Sequence, residues 1–216
     1  RDRDVTGVQT CALPILLDRE LCEPLGMVET ARLAVAGGVT LVQLRDKTAS
    51  TERMIETGRA LKTALAGTGV PLIVNDDVEA AIAIDAEGLH VGQDDLDVAT
   101  ARRLIGPDRI LGLSVETEAL AAAADPRLVD YVGVGPVFAT STKPGHKAPV
   151  GLTGLARLVS AARVPAVAIG GLKAGHVGPV VRTGAAGLAV VSAICGEPDP
   201  QAAASELSQA IRRARS

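Results

Sequence analysis

The sequence predicts a single-domain α/β fold, a (β/α)8 TIM barrel, and three observations carry that expectation. From Gly38 onward, short β-branched runs alternate with Ala-rich helical stretches. The runs are apolar on both faces, as parallel strands covered on both sides require. Polar residues gather at the ends of nearly all of them, whereas a doubly wound sheet, the main competitor, uses fewer strands and one ligand crevice.

Taken in order, the first strand is the apolar segment near Leu13 to Leu17. Pro14 cannot donate to a ladder, so this strand is expected to be frayed or shifted in register, with reduced stability. "TLVQL" from Thr40 is the second. Side chains alternate along a strand, so Gln43, Arg45 and Lys47 share one side and Leu44 takes the other. A helix with an apolar stripe of Met54, Ile55, Leu61 and Leu65 follows. The next strands are "PLIVN" from Pro71, "GLHVG" from Gly88, "ILGLS" from Ile110 and "YVGVG" from Tyr131. Pro136 to Gly151 form a long irregular segment, rich in Thr, Lys, Gly and Pro, of the kind that serves as a lid. A helix carrying Leu155, Leu158 and Val159 leads to "AVAIG" from Ala166, and "GLAVV" from Gly187 ends the set.

A chain of 216 residues, 47% hydrophobic, can bury one large core. Its net charge of -3 with dispersed Lys and Arg offers no field for nucleic acid. No apolar run approaches the roughly 20 residues that span a bilayer, and no signal peptide opens the chain, so a cytoplasmic protein without membrane contact is expected. Cys11, Cys22 and Cys195 lack metal-ligand spacing and read as buried or incidental thiols. Any metal must therefore use oxygen ligands. Arg1 to Ile15 lack the Gly and Ala usage of the rest and back-translate into what resembles a short-read sequencing adapter. Residues 1–15 are thus expected to be an assembly artefact, with the barrel domain spanning 16–216.

The chemistry-bearing residues sit at C-terminal strand ends, where barrel enzymes carry their sites. Gln43, Arg45 and Lys47 follow the second strand, Asn75 and Asp76 the third, Asp95 the fourth and Ser114 the fifth. Asp76 and Asp95 follow neighbouring strands and can converge on one hard cation; magnesium suits two carboxylates plus water and phosphate oxygens. Taken singly, each is as readily a solvated turn residue or a helix N-cap. With Arg45 and Lys47 beside them they suit a diphosphate. Gly170 and Gly171 after the seventh strand, with Ser192 after the eighth, suggest a second phosphate pocket built from backbone N–H groups. His90 lies within a strand and reads as core or as support for the site; His146 and His176 read as surface. No Ser-His-Asp or Cys-His arrangement supports covalent catalysis.

The segments "VQLRDK", "VNDDVEAAIAIDAEGLHVGQDDL", "YVGVGPVFATSTK", "AIGGL" and "VVSAI", in that order, closely resemble the thiamine-phosphate synthase family. The likeness runs from about Leu16 to the C-terminus. It implies a magnesium-dependent transferase on a barrel that couples hydroxymethylpyrimidine diphosphate to thiazole phosphate and releases diphosphate. By motif, Gln43, Leu44, Arg45, Asp46, Lys47 and Asn75, with Ser114 and Lys143, would serve the pyrimidine diphosphate. Asp76 and Asp95 would hold magnesium. Thr140, Ser141, Thr142, Gly171, Val191 and Ser192 would grip the thiazole phosphate, and Arg45, Lys47, Ser114 and Lys143 would be the catalytic groups. The sequence departs from the family in its first strand and at Glu116, where relatives often carry His. A thiazole tautomerase relative, or a phosphate-binding barrel with a regulatory role, are the competing readings.

Overall fold

In the computed structural model, residues 12–140 and 148–216 are described. Within them the chain runs β1 (Pro14–Leu17), α1 (Met27–Ala36), β2 (Leu41–Leu44), α2 (Thr51–Leu65), β3 (Leu72–Asn75) and α3 (Val78–Ala83). There follow β4 (Gly88–Val91), α4 (Val98–Ile105), β5 (Ile110–Val115), α5 (Glu118–Ala123), β6 (Tyr131–Val134) and α6 (Gly151–Ala161). The last units are β7 (Ala166–Ile169), α7 (Val177–Arg182), β8 (Gly187–Ala189) and α8 (Pro200–Arg215). The strands lie in sequence order in one 8-stranded parallel sheet. This is the expected α/β barrel.

Its closure is instructive. β1 pairs in register with β2, from Pro14 opposite Leu41 to Leu17 opposite Leu44, so the register does not shift and the expected weakening of this strand is confined to its β8 side. The reason lies in which way the proline nitrogen faces. On the β8 side, Ala12 donates to Ala186 O at 3.2 Å and Leu16 donates to Val190 O at 2.9 Å. Pro14 sits between these two donors, so the N–H it lacks is missing from the β8 side alone. There the contact reduces to isolated bridges, Ala12 with Gly187 and Ile15 with Val190. The barrel is nearly closed, with one unsealed seam. Outside it, α1 and α8 pack closely; a Cβ at Gly37 would overlap Gln201 O and the Ala204 side chain.

Two apolar layers follow from strand alternation. Outward residues such as Leu44 and Leu89 meet the helices, which supply Met54, Leu61, Leu155 and Leu158. Inward residues Leu41, Ile73, Ile110, Val167 and Ala189 plug the barrel floor. Each fully buried Leu or Ile contributes about 1.5–3 kcal/mol. Helices begin at the opposite end from this plug, and several have side-chain caps: Asp77 accepts from Ala80 N at 2.8 Å, Thr117 from Leu120 N at 3.2 Å and Asp199 from Ala202 N at 2.9 Å.

Below the plug, Arg102 and Asp130 form an ion pair at 2.6 Å with side chains 9% and 5% exposed. Arg102 also donates to Leu128 O, Gly106 O and Arg109 O, and Asp130 accepts from Leu111 N at 2.8 Å. Cys22 and Cys195 are both buried, in line with their reading as core thiols. Among the described residues, no helix is long and apolar enough to cross a membrane.

Candidate active site

At the C-terminal mouth the barrel opens into a cavity of about 180 Å³. Gln43, Arg45, Lys47, Asn75, Asp76, Asp95, Ser114, Thr140, Gly171, Val191 and Ser192 all line it. Residues far apart in the chain thus meet on one rim. Ser141, Thr142 and Lys143 lie outside the described residues. Leu44 and Asp46 depart from the expectation. Leu44 is fully buried against the helices, because strand alternation turns it away from its neighbours Gln43 and Arg45. Asp46 builds the turn, accepting from Thr48 N at 3.0 Å, Thr48 Oγ1 at 2.8 Å and Ala49 N at 3.2 Å. Burial opposes its charge, yet these donors and nearby Arg19 hold its carboxyl below the ordinary range.

The segment after β3 divides its labour residue by residue. Asn75 ends the strand, Asp77 caps α3, and Asp76 between them takes a left-handed backbone conformation, φ 64°. Asp tolerates that region better than most residues, and Asp76 N donates to His90 O at 2.8 Å to hold it. The turn brings the Asp76 carboxylate onto Lys47 Nζ and within hydrogen-bonding reach of Asp95. Asp95 in turn accepts from Gly92 N at 2.7 Å. Burial first, then Asp95, raise the Asp76 pKa, and Lys47 offsets them in part. Two carboxylates in contact, Asp76 half-buried and Asp95 exposed, form a hard-oxygen donor set that fits a divalent cation such as magnesium. Among the described residues no cluster of three or more His, Cys, Asp and Glu could complete the shell, so further oxygens must come from ligand and water.

On the opposite rim, Gly171 adopts φ 64°, and a Cβ there would overlap Ala139 O and Phe138 Cβ. Glycine lets the β7 loop press against the segment that carries Thr140. Lys173 Nζ donates to Ser192 O at 2.8 Å and lies 3.4 Å from Ser192 Oγ, adding a cation that sequence reasoning missed. Arg45 stands 4.0 Å from Asp18.

The fit to known proteins is extensive. A family model described as thiamine monophosphate synthase matches residues 14–194. The chain belongs to the thiamine monophosphate synthase family. A relative named thiamine-phosphate synthase from Azorhizobium caulinodans is 48% identical over 204 residues, 94% of this chain and 96% of that one. Another of the same name, from Solidesulfovibrio magneticus, is 52% identical over 197 residues, 90% of this chain and 92% of the relative. The solved thiamine phosphate pyrophosphorylase of Pyrococcus furiosus superposes with a TM-score of 0.87 at 33% identity, covering 99% of this chain and 100% of that one. A 3-hexulose-6-phosphate synthase structure, 23% identical with a TM-score of 0.68, shares the fold alone.

Beneath the rim lie two further residues of the cavity wall: His90, expected as core or as support for the site, and Tyr131, which strand reading did not assign to it. Tyr131 is the chain's one tyrosine and faces inward on β6. A lone phenol at an inward position of an aromatic-poor barrel is a signal the sequence does contain. Burial raises its pKa.

Proposed function

We propose that this enzyme joins 4-amino-2-methyl-5-(diphosphooxymethyl)pyrimidine to 4-methyl-5-(2-phosphoethyl)thiazole, giving thiamine phosphate and diphosphate in thiamine biosynthesis. The observation that carries this reading is the convergence of Arg45, Lys47, Asp76 and Asp95 on one side of a mouth whose other side bears Gly171, Val191 and Ser192. The two sides suit two phosphorylated substrates.

The bond between the pyrimidine methylene carbon and the diphosphate oxygen breaks, and its electron pair leaves with the oxygen. The thiazole nitrogen then forms the new bond to the methylene carbon, and no proton has to leave that nitrogen. The step therefore needs no dedicated general base. Arg45 and Lys47, with Lys143, stabilise the charge that grows on the leaving oxygens; one such preorganised donor contributes about 2.7–4 kcal/mol in comparable sites. Asp76 and Asp95 would hold magnesium, which when bound neutralises diphosphate charge. Gln43, Asn75 and Ser114 orient the pyrimidine. Thr140, Ser141, Thr142, Gly171, Val191 and Ser192 hold the thiazole phosphate, and positioning the two reactants supplies the rest of the acceleration.

Diphosphate release, followed with both substrates, tests the reading. It should need both substrates, stop with chelator and return with magnesium. Absence of release with all three present refutes it.

A further inference from the structure

Three segments meet beside Gly171 and Ser192. Lys173 follows β7, and its ammonium reaches across to β8, where it donates to Ser192 O at 2.8 Å and lies 3.4 Å from Ser192 Oγ. Its backbone is fixed on both sides: Lys173 N donates to His176 Nδ1 at 3.1 Å, and His176 N donates to Lys173 O at 2.9 Å. The His176 ring in turn lies on the Phe138 ring, centroids 4.3 Å apart. Phe138 N donates to Gly170 O at 3.0 Å, so the segment that leads to Thr140 is joined to the same loop. Lys173 therefore starts from a braced backbone and ends on a residue that lines the cavity.

Charge separates this lysine from the other described cations of the mouth. Lys47 is on the Asp76 carboxylate and Arg45 stands 4.0 Å from Asp18, so each already faces an anion. Lys173, among the described residues, has a carbonyl and a hydroxyl oxygen beside its ammonium and no carboxylate. An ammonium has three N–H donors, and the Ser192 carbonyl takes one of them. Its four-carbon stem is flexible, so the head can turn without moving the backbone that carries it. An anion held by Ser192 Oγ at an ordinary hydrogen-bond length would have an oxygen no more than about 6 Å from Nζ before the side chain moves at all.

We propose that Lys173 is a further binding residue of this site, the cation that selects a phosphorylated thiazole over its unphosphorylated alcohol. This rests on the substrate reading above and deepens it. On binding, the ammonium keeps Ser192 O and adds a phosphate oxygen, so the dianion meets a full positive charge besides the backbone N–H groups and hydroxyls of the rim. The alcohol carries no charge and gains nothing from Lys173. The head lies on an open rim where water and salt weaken the pair, so its contribution is about fivefold to tenfold in affinity rather than a hundredfold.

The test is made on the full chain in two parts. In steady state, with magnesium and saturating pyrimidine diphosphate, Lys173→Met should raise the thiazole phosphate KM about fivefold to tenfold and leave kcat and the pyrimidine KM within about twofold. Its kcat/KM for the thiazole alcohol should match wild type. Lys173→Arg, which keeps the charge, should recover most of the loss. A lysine that only straps β7 to β8 would instead change both thiazoles alike. The second part needs no turnover. An amine-acylating reagent, read by peptide mass spectrometry, should label Lys173 more slowly when inorganic phosphate replaces chloride at equal ionic strength. Lys62, paired with Glu87 at the opposite end of the barrel, is the control that phosphate should leave unchanged. Equal losses for thiazole phosphate and alcohol in Lys173→Met, no loss for either, or labelling of Lys173 that phosphate does not slow, overturns the proposal. A wild type that joins neither thiazole to the pyrimidine sinks the substrate reading instead, and phosphate protection, present or absent, then upholds or overturns the anion site at Lys173.

Discussion

Replacing Asp95 with Asn should make the protein more stable and unable to respond to magnesium. Asp76 and Asp95 are in contact, and the Asp76 side chain is only 22% exposed. Two unit charges about 4 Å apart repel by about 4 kcal/mol at an effective dielectric constant of 20. Lys47 on Asp76 and the open mouth remove most of that, leaving about 1 kcal/mol. The amide of the Asp95→Asn variant keeps an oxygen for Gly92 N and offers Asp76 an N–H in place of a second anion. For a chain of this size about 1 kcal/mol is a rise of about 2–4 °C in Tm. Magnesium at a hundredfold excess over its Kd should stabilise wild type by about 2.7 kcal/mol and leave the variant unmoved. The sign with pH follows from Asp76. Its folded pKa is raised, so its contribution is fully present below the unfolded value near 3.9 and is lost as pH rises through the folded value. That loss should shrink in Asp95→Asn. Thermal melts with and without magnesium, at pH 4 to 7, check all three points. A variant that melts lower than wild type, or keeps the magnesium shift, refutes the reasoning.

Other variants probe separate joints of the structure. Lys47→Ala should lower kcat by about a hundredfold or more with a smaller change in thiazole KM, since the ammonium acts on the leaving diphosphate; an unchanged kcat removes Lys47 from the chemistry. Asp130→Asn leaves the Arg102 guanidinium buried without its counter-ion and should cost about 3 kcal/mol, at the low end for a broken buried pair because three carbonyls still accept from Arg102. A urea midpoint close to wild type would show that the carbonyls suffice. Gly171→Ala combines a left-handed backbone with overlap on Ala139 O and should raise the thiazole phosphate KM about tenfold while the pyrimidine KM moves little. Equal changes in both constants would point to general loosening of the mouth.

Much of the barrel is legible in the sequence because its signals are local. A strand buried on both faces must be apolar on both faces, and a strand end facing a ligand must turn polar within a residue or two, as "VQLRDK" and "VNDD" do. Side-chain direction is equally local, which is why Leu44 and Asp46 can be separated from Gln43, Arg45 and Lys47 once alternation is applied strictly. What escapes is non-local. Arg102 and Asp130 are 28 residues apart, and nothing in either segment marks the other as its partner. The same holds for His90 and Tyr131, which meet where Gly112 leaves room for both rings. Pro14 shows the limit from the other direction. The residue type forbids a donor, but only the barrel's register says which neighbour goes without it.

Every other neighbouring pair of strands in this cylinder is tethered covalently by the segment that crosses from one to the next. β1 and β8, at the two ends of the barrel's course, have no such tether and share a thinned ladder. The hoop is held shut there by four backbone hydrogen bonds and by the contact of α1 with α8, where Gly37 lies against Ala204. Apolar contact weakens on cooling. Chilling should loosen this joint before any other, and with it the wall that carries Val191 and Ser192.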